Sequence, residues 1–296
     1  MSVVEGRLDF RHSAARGTSR LYRRSWLPDG DARAAVLLVH GLGEHCGRYG
    51  HLAAHCNARG FAVHAIDHYG HGKSDGRAGY VERFSVYLDG VRALRDAVRT
   101  EQPKIPMFLL GHSMGGLIAA ALLVHEQADF RGCVLSGPAL RTDEEPPALV
   151  RGLIRLISWL LPTVPVIGLD PSGVSRDPAV VGAYVADPLV HHGRLSARLI
   201  AELDKAMRST RAAAHAVDLP LLILHGEEDV LTSPGGSAEF YEHAGSTDKT
   251  LKTYPGLHHE IFNEPEKDAV LADMTSWLEA HLQGRRNRRV NIRLDD

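Results

Sequence analysis

The residues Gly111-His112-Ser113-Met114-Gly115 fit the pattern G-x-S-x-G, which carries chemistry only in a particular setting. The setting is present: an apolar run (107–110) precedes it, and small residues (116–121) follow it. A serine on so sharp a strand-to-helix turn is exposed for attack, and the helix behind it favours developing negative charge. Glycines on either side keep neighbouring side chains away. The bland alternative is a glycine-rich loop; the strand, the helix and a third glycine, Gly116, weigh against it. A serine nucleophile needs a base, and the base needs an orienting carboxylate. On an open α/β sheet such groups lie beyond the carboxyl ends of strands, in the chain order Ser, Asp/Glu, His. The run Leu221–Leu224 leads into His225-Gly226-Glu227-Glu228-Asp229, and Asp229 is the candidate acid, with Glu227 and Glu228 read as solvated loop charges. Thr250–Tyr254 leads into Pro255-Gly256-Leu257-His258-His259-Glu260, and spacing alone does not choose between the two histidines. Two backbone N–H groups would complete an oxyanion hole: that of Met114, and that of Leu42 in the loop His40-Gly41-Leu42-Gly43.

These residues need a sheet to hold them. Val36–Val39, Ala62–Ile66, Met107–Leu110, Gly132–Leu135 and Leu221–Leu224 are short, near-continuous apolar runs. Such runs suit parallel strands covered on both faces. Helices are predicted near 48–59, 85–101 and 114–126. A last helix is predicted from Asn263, with Pro265 in its first turn and Gly284 closing it. Strand–helix alternation implies a doubly wound, mostly parallel α/β sheet. The alternation lapses over 139–217, where helices are predicted at 148–161 and 194–214 around a Pro/Gly-rich turn region, 162–173. That segment reads as a helical cap inserted into a core made of 1–138 and 218–296.

The chain has 296 residues, 44% of them hydrophobic and 24% charged, with a formal net charge of −2. This is an ordinary globular balance that gives no reason to expect nucleic acid as a partner. Three cysteines, Cys46, Cys56 and Cys133, cannot build a disulfide framework. With no apolar leader at Met1–Arg7, the chain reads as cytoplasmic. Ala148–Leu169 is the longest greasy stretch, but Arg151, Arg155, Pro162 and Pro165 make it a poor transmembrane span. The 18 histidines follow no ligand motif, so no metal and no organic cofactor is indicated. The arginines at 285, 286, 288, 289 and 293 read as a loose, solubilising tail.

Five blocks together carry a resemblance: His40–His45 with Arg48-Tyr49; Asp67–Ser74; Gly111–Gly116; Leu224–Asp229; and Tyr254–Glu260. In these the chain resembles the monoglyceride lipases of the α/β-hydrolase superfamily, a branch that also takes in lysophospholipase-like and serine aminopeptidase S33-type hydrolases. Tyr184 and Asp187-Pro188-Leu189 extend the match loosely into the cap. The resemblance implies an α/β-hydrolase fold and cleavage of monoacylglycerol to glycerol and fatty acid through an acyl-enzyme. It selects His259 over His258 as the base. It also implies that Arg48, His112 and Tyr184 bind the glycerol end of the substrate, while Asp67–Ser74 reads as structural. A base with an ordinary histidine value would lose activity below about pH 6.5.

Along 148–161 one helical face can line an acyl tunnel. Another can touch a membrane or lipid aggregate, with its arginines at headgroup level and Ile154→Glu as the disrupting change. The alternative is a helix buried against the core. A lysophospholipase or general carboxylesterase is the nearest rival. A peptidase is disfavoured because no acidic site for an amino group is evident, and a non-catalytic binding protein because the three candidate residues are intact. Dehalogenase or epoxide hydrolase chemistry would need a carboxylate in place of Ser113.

Overall fold

The computed structural model describes residues 1–12, 17–142 and 147–290, with side chains to 282. The elements run β1 (Ser2–Phe10), β2 (Ser19–Leu27), β3 (Ala34–Val39), α1 (Gly50–Asn57), β4 (Phe61–Ile66), α2 (Ser85–Glu101), β5 (Met107–His112), α3 (Met114–Leu123) and β6 (Phe130–Ser136). They continue with α4 (Ala148–Leu160), β7 (Pro165–Ile167), α5 (Pro178–Ala186), β8 (Leu195–Ser196), α6 (Ala197–Ala212), β9 (Leu221–Gly226), α7 (Pro234–His243), β10 (Lys249–Tyr254) and α8 (Lys267–Val290).

Eight strands form one sheet in the order β1-β2-β4-β3-β5-β6-β9-β10. The six from β4 to β10 pair in parallel; β1 and β2 add an antiparallel hairpin at one edge. The continuous apolar runs are explained by β3: Ala35, Leu37 and Val39 face α2 and α3, while Ala34, Val36 and Leu38 face α1 and α8. Both faces are dry, so alternation disappears.

The five predicted strands and the helices near 48–59, 85–101, 114–126, 148–161 and 194–214 are present with shifted ends. The β1–β2 hairpin, α5 and α7 were not anticipated. At the sheet edge β1 is exposed over most of its length, so its sequence lacks an apolar signature. The segment α5 did carry one: Asp177 caps it by accepting from Ala179 N at 2.8 Å, with Pro178 in its first turn. The opening Pro234-Gly235-Gly236 of α7 hid a helix behind turn residues. The turn region 162–173 contains β7, which pairs with β8.

The last helix begins at Lys267, not Asn263, because the Asn263 side chain donates to Glu260 Oε2 at 2.7 Å instead of capping. Its backbone stays helical through Val290, so Gly284 does not close it; an interior glycine costs only about 1 kcal/mol. The side chains of Arg285, Arg286, Arg288 and Arg289, and all of Arg293, lie outside the described residues. No described helix is long and apolar enough to cross a membrane.

Candidate active site

Ser113 stands between β5 and α3 with φ 56° and ψ −122°, the one positive φ among described non-glycine residues. The turn is held from three directions: Ser113 N donates to Ser136 O at 3.0 Å, and Ser113 O accepts from Leu117 N (3.1 Å) and Ala139 N (2.9 Å). Gly111 and Gly115 are needed for room, not for φ. A Cβ on Gly115 would lie 2.0 Å from Val39 O, and one on Gly111 would lie 2.4 Å from Gly115 O. The strain is therefore stored in the serine itself.

Asp229 and His259 meet beyond the ends of β9 and β10, with His259 Nδ1 donating to Asp229 Oδ2 at 2.7 Å. Asp229 Oδ1 accepts from Leu231 N (2.8 Å) and Thr232 N (2.9 Å), and Thr232 Oγ1 donates to Oδ2 at 2.9 Å. Burial pushes the Asp229 carboxyl up, but the imidazole of His259 and the donors around it hold it well below the usual carboxylate range. Burial pulls His259 down, and the Asp229 charge outweighs that, leaving it raised. His258 makes no such bond: its backbone N–H donates to Glu264 Oε1 at 3.3 Å, and its buried ring Nδ1 has no hydrogen-bond partner among the described residues.

The loop after β3 brings Gly41 and Leu42 beside Ser113; a Cβ on Gly41 would lie 3.1 Å from Ser113 Cβ. Gly41 N donates to Glu44 Oε1 at 2.6 Å, and His191 N of the 139–217 segment donates to Gly43 O at 2.7 Å. Leu42, Met114, Ser113 and His259 line one cavity of about 400 Å³. Its polar end holds Glu44, Glu260, Tyr184 and His112.

Arg48 is not a free donor there. Its Nη1 donates to Glu44 Oε2 (2.8 Å) and Glu260 Oε1 (2.6 Å), its Nη2 to Glu260 Oε2 (2.8 Å), and its guanidinium lies 4.7 Å from the Tyr184 ring. Both carboxylates are buried, and sequence reasoning missed them as site groups. The sole hint was Glu260 following a candidate histidine. Two acids thus stand where no acidic site for a substrate amino group was evident, and Arg48 spans both. His112 lies 4.8 Å from His259 between ring centroids. Burial, then the neighbouring His259 charge, lowers it to about 3. It is therefore neutral, with Nδ1–H directed at Ser136 O (3.1 Å).

Ile167, Leu169, Val174, Leu195, Ile200 and Met207 make much of the remaining lining apolar, and Arg141, Asp170 and Asp204 also reach it. Helix α4 roofs it with Arg151, Ile154 and Arg155. Ile154 and Arg151 thus face the cavity, not the outer surface expected of them, while Arg155 lines it and stays exposed. The outer face shows Leu149, Leu153, Leu156, Trp159 and Leu160, all more than half exposed, and Ser158 alone is buried in the helix. A helix buried against the core is excluded. Among the described residues no group of His, Cys, Asp and Glu is arranged to hold a metal ion.

Residues 30–266 match the family model described as "Serine aminopeptidase, S33". The chain is 41% identical to the monoacylglycerol lipase of Mycolicibacterium smegmatis, over 90% of this chain and 95% of that one. It is 35% identical to the monoglyceride lipase of Mus musculus, over 87% and 86%. The crystal structure of Paleococcus ferrophilus monoacylglycerol lipase superposes with a TM-score of 0.79 at 34% identity, covering 88% of this chain and 99% of that one.

Proposed function

This chain belongs to the monoacylglycerol lipase branch of the S33 family of α/β-hydrolases, and we propose that its ester hydrolysis runs through Ser113, His259 and Asp229. Ser113 Oγ attacks the ester carbonyl while His259 takes its proton. The N–H groups of Leu42 and Met114 hold the oxyanion. His259 then protonates the departing glycerol, and water, activated by the same histidine, hydrolyses the acyl-enzyme. The carrying observation is the strained Ser113 opening onto the same apolar cavity as the Asp229-bound His259. Asp229 fixes the tautomer, since its bond to Nδ1 leaves Nε2 free to accept the serine proton.

The fatty chain occupies the apolar length of the cavity and glycerol its polar end. Two carboxylates against one guanidinium leave that end with a net negative charge. Glycerol hydroxyls can donate to Glu44 and Glu260 and to the unprotonated Nε2 of His112. Tyr184 packs on Arg48 and closes the subsite. A phosphodiester seated at that end would meet two carboxylates and a guanidinium already bonded to both, which favours monoacylglycerol over lysophospholipid.

The outer face of α4 supports docking of the 139–217 cap on a membrane or lipid aggregate, where long-chain substrate resides. Three buried, unpaired cysteines fit a cytoplasmic setting.

The test is release of fatty acid from a long-chain monoacylglycerol, with diacylglycerol, lysophosphatidylcholine and an aminoacyl naphthylamide in parallel. Preference for monoacylglycerol, abolished in Ser113→Ala, is the expected result. Serine-dependent turnover centred on lysophosphatidylcholine or the amide would overturn the substrate and keep the mechanism.

A further inference from the structure

We propose that His225 is a positioning residue for the reaction, a second imidazole on the catalytic carboxylate that limits how strongly Asp229 holds the His259 proton. The proposal rests on the Ser113–His259–Asp229 reading above. His225 is wholly buried at the end of β9, four residues before Asp229, and the intervening turn folds the carboxylate back over it. Its Nε2 lies 3.1 Å from Asp229 Oδ2 and 3.2 Å from Thr232 O. Its Nδ1 lies 2.7 Å from Oγ of Ser237, itself wholly buried in α7.

The partners fix the tautomer. A carboxylate oxygen and a carbonyl oxygen can only accept, so Nε2 carries the hydrogen. Ser237 can donate, so Nδ1 is free to accept from it. Ser237 thereby clamps the ring from behind, with Nε2–H bonded to Thr232 O and its polar edge 3.1 Å from Asp229 Oδ2. Oδ2 then has two hydrogen-bond donors, His259 Nδ1 (2.7 Å) and Thr232 Oγ1 (2.9 Å), and beside them the His225 Nε2–H edge at 3.1 Å. The edge of an imidazole N–H is electropositive, so carboxylate charge drawn toward His225 is withheld from His259.

This has a catalytic consequence. A fully concentrated carboxylate would stabilise the imidazolium of His259 and reduce the neutral fraction that can accept the serine proton. Sharing the carboxylate keeps His259 available as base at lower pH while Asp229 remains ionised. The other groups facing His259 include the His112 ring, Glu260, Glu44 and Thr232 Oγ1 at 3.3 Å, whereas His225 meets Asp229 Oδ2, Ser237 Oγ and the Thr232 carbonyl. The His225 contact is therefore a separable influence on the acid limb.

The experiment follows kcat/KM against pH for p-nitrophenyl butyrate, a probe that does not depend on the glycerol preference. In His225→Leu the acid limb should move to higher pH by about half to one unit, the size expected when one polarised N–H is removed from beside a carboxylate. His225→Gln, whose amide can donate at the same reach, should restore the wild-type limb. Ser237→Ala, which unclamps the ring, should shift it part of the way in the same direction. A folded His225→Leu with an unmoved limb, or a Gln variant displaced as far as Leu, overturns the proposal. If the Leu variant does not fold, Ser237→Ala decides it. Loss of the burst in Ser113→Ala, run alongside, tests the underlying reading separately: persistence of that burst would sink the triad and not merely His225.

Discussion

At the scale of single residues, the site stores strain at one position and charge at another. Ser113 holds a backbone conformation that glycine adopts freely. Ser113→Ala and Ser113→Gly should both lower kcat by about four to six orders of magnitude. Only the glycine variant is relieved, and it should be more stable than the alanine variant by about 1–2 kcal/mol in urea unfolding. Equal stabilities would mean that the turn is not strained. His259 is raised above its ordinary 6.5 by the Asp229 charge prevailing over burial. As the proposed base it must be neutral, so the acid limb of kcat/KM should lie above pH 6.5, higher than the unperturbed histidine value implied. A limb below 6.5 would contradict this. Arg48 pairs with two buried carboxylates, so Arg48→Met leaves both uncompensated and should cost about 3–5 kcal/mol of stability, measurable by denaturant titration.

At the scale of elements, the 139–217 segment is pinned to the core along one side and loose along the other. Val174 O accepts from Glu260 N at 2.8 Å, and Arg176 is held by the buried Glu264 through its N–H (2.9 Å) and Nε (3.0 Å). Asp187 bonds His45 at 2.9 Å, and His191 N holds the loop at Gly43. These bonds lock α5, with Tyr184, against the loops that carry His259 and Leu42. Helix α4 has almost no buried surface. Amide hydrogen exchange should therefore be markedly faster in 148–160 than in 178–186; equal protection would show α4 to be equally fixed. The paired change Leu153→Ser/Trp159→Ser should reduce flotation with liposomes while leaving hydrolysis of a soluble short ester intact. Unchanged flotation would remove the lipid-docking reading. Ile154, which faces the cavity, is the wrong position for that test.

At the scale of the whole molecule, buried neutral histidines make the fold acid-sensitive. Burial is the leading cause that holds His40 well below 6.5, His64 at about 4, and His68 and His112 at about 3. The unfolded chain takes up protons at these sites first, so stability is lost as pH falls below 6.5. At about 1.4 kcal/mol per proton per pH unit, His64, His68 and His112 each cost roughly 2 kcal/mol near pH 5, and His40 acts in the same direction. Four together approach the roughly 5–15 kcal/mol that holds a domain folded. Asp229 acts in the same direction at lower pH, its contribution fading below the ordinary carboxylate value of 3.8. His259 acts oppositely: its contribution is full below 6.5 and lost as pH rises through its raised value. Urea midpoints should fall steeply between about pH 7 and 5, and a flat profile would show that these histidines are hydrated in the native state.

The sequence by itself determined the strand–turn–helix around Ser113, the apolar central strands and the positions of Asp229 and the histidine pair. In each case the signal is local: a two-sided buried strand must be apolar, a tight elbow needs glycine, and functional loops follow strand ends. The tertiary structure alone decided which residues stand between those loops. Glu44, Arg48 and Glu260 form one ion-pair network from loops some 212 positions apart, and no spacing records such a pairing. Likewise Asp229 has two imidazoles only because its turn folds back on β9. Apolar periodicity told that α4 is amphipathic. Which of its faces is wet depends on where the neighbouring elements stop, and that is a property of packing, not of pattern.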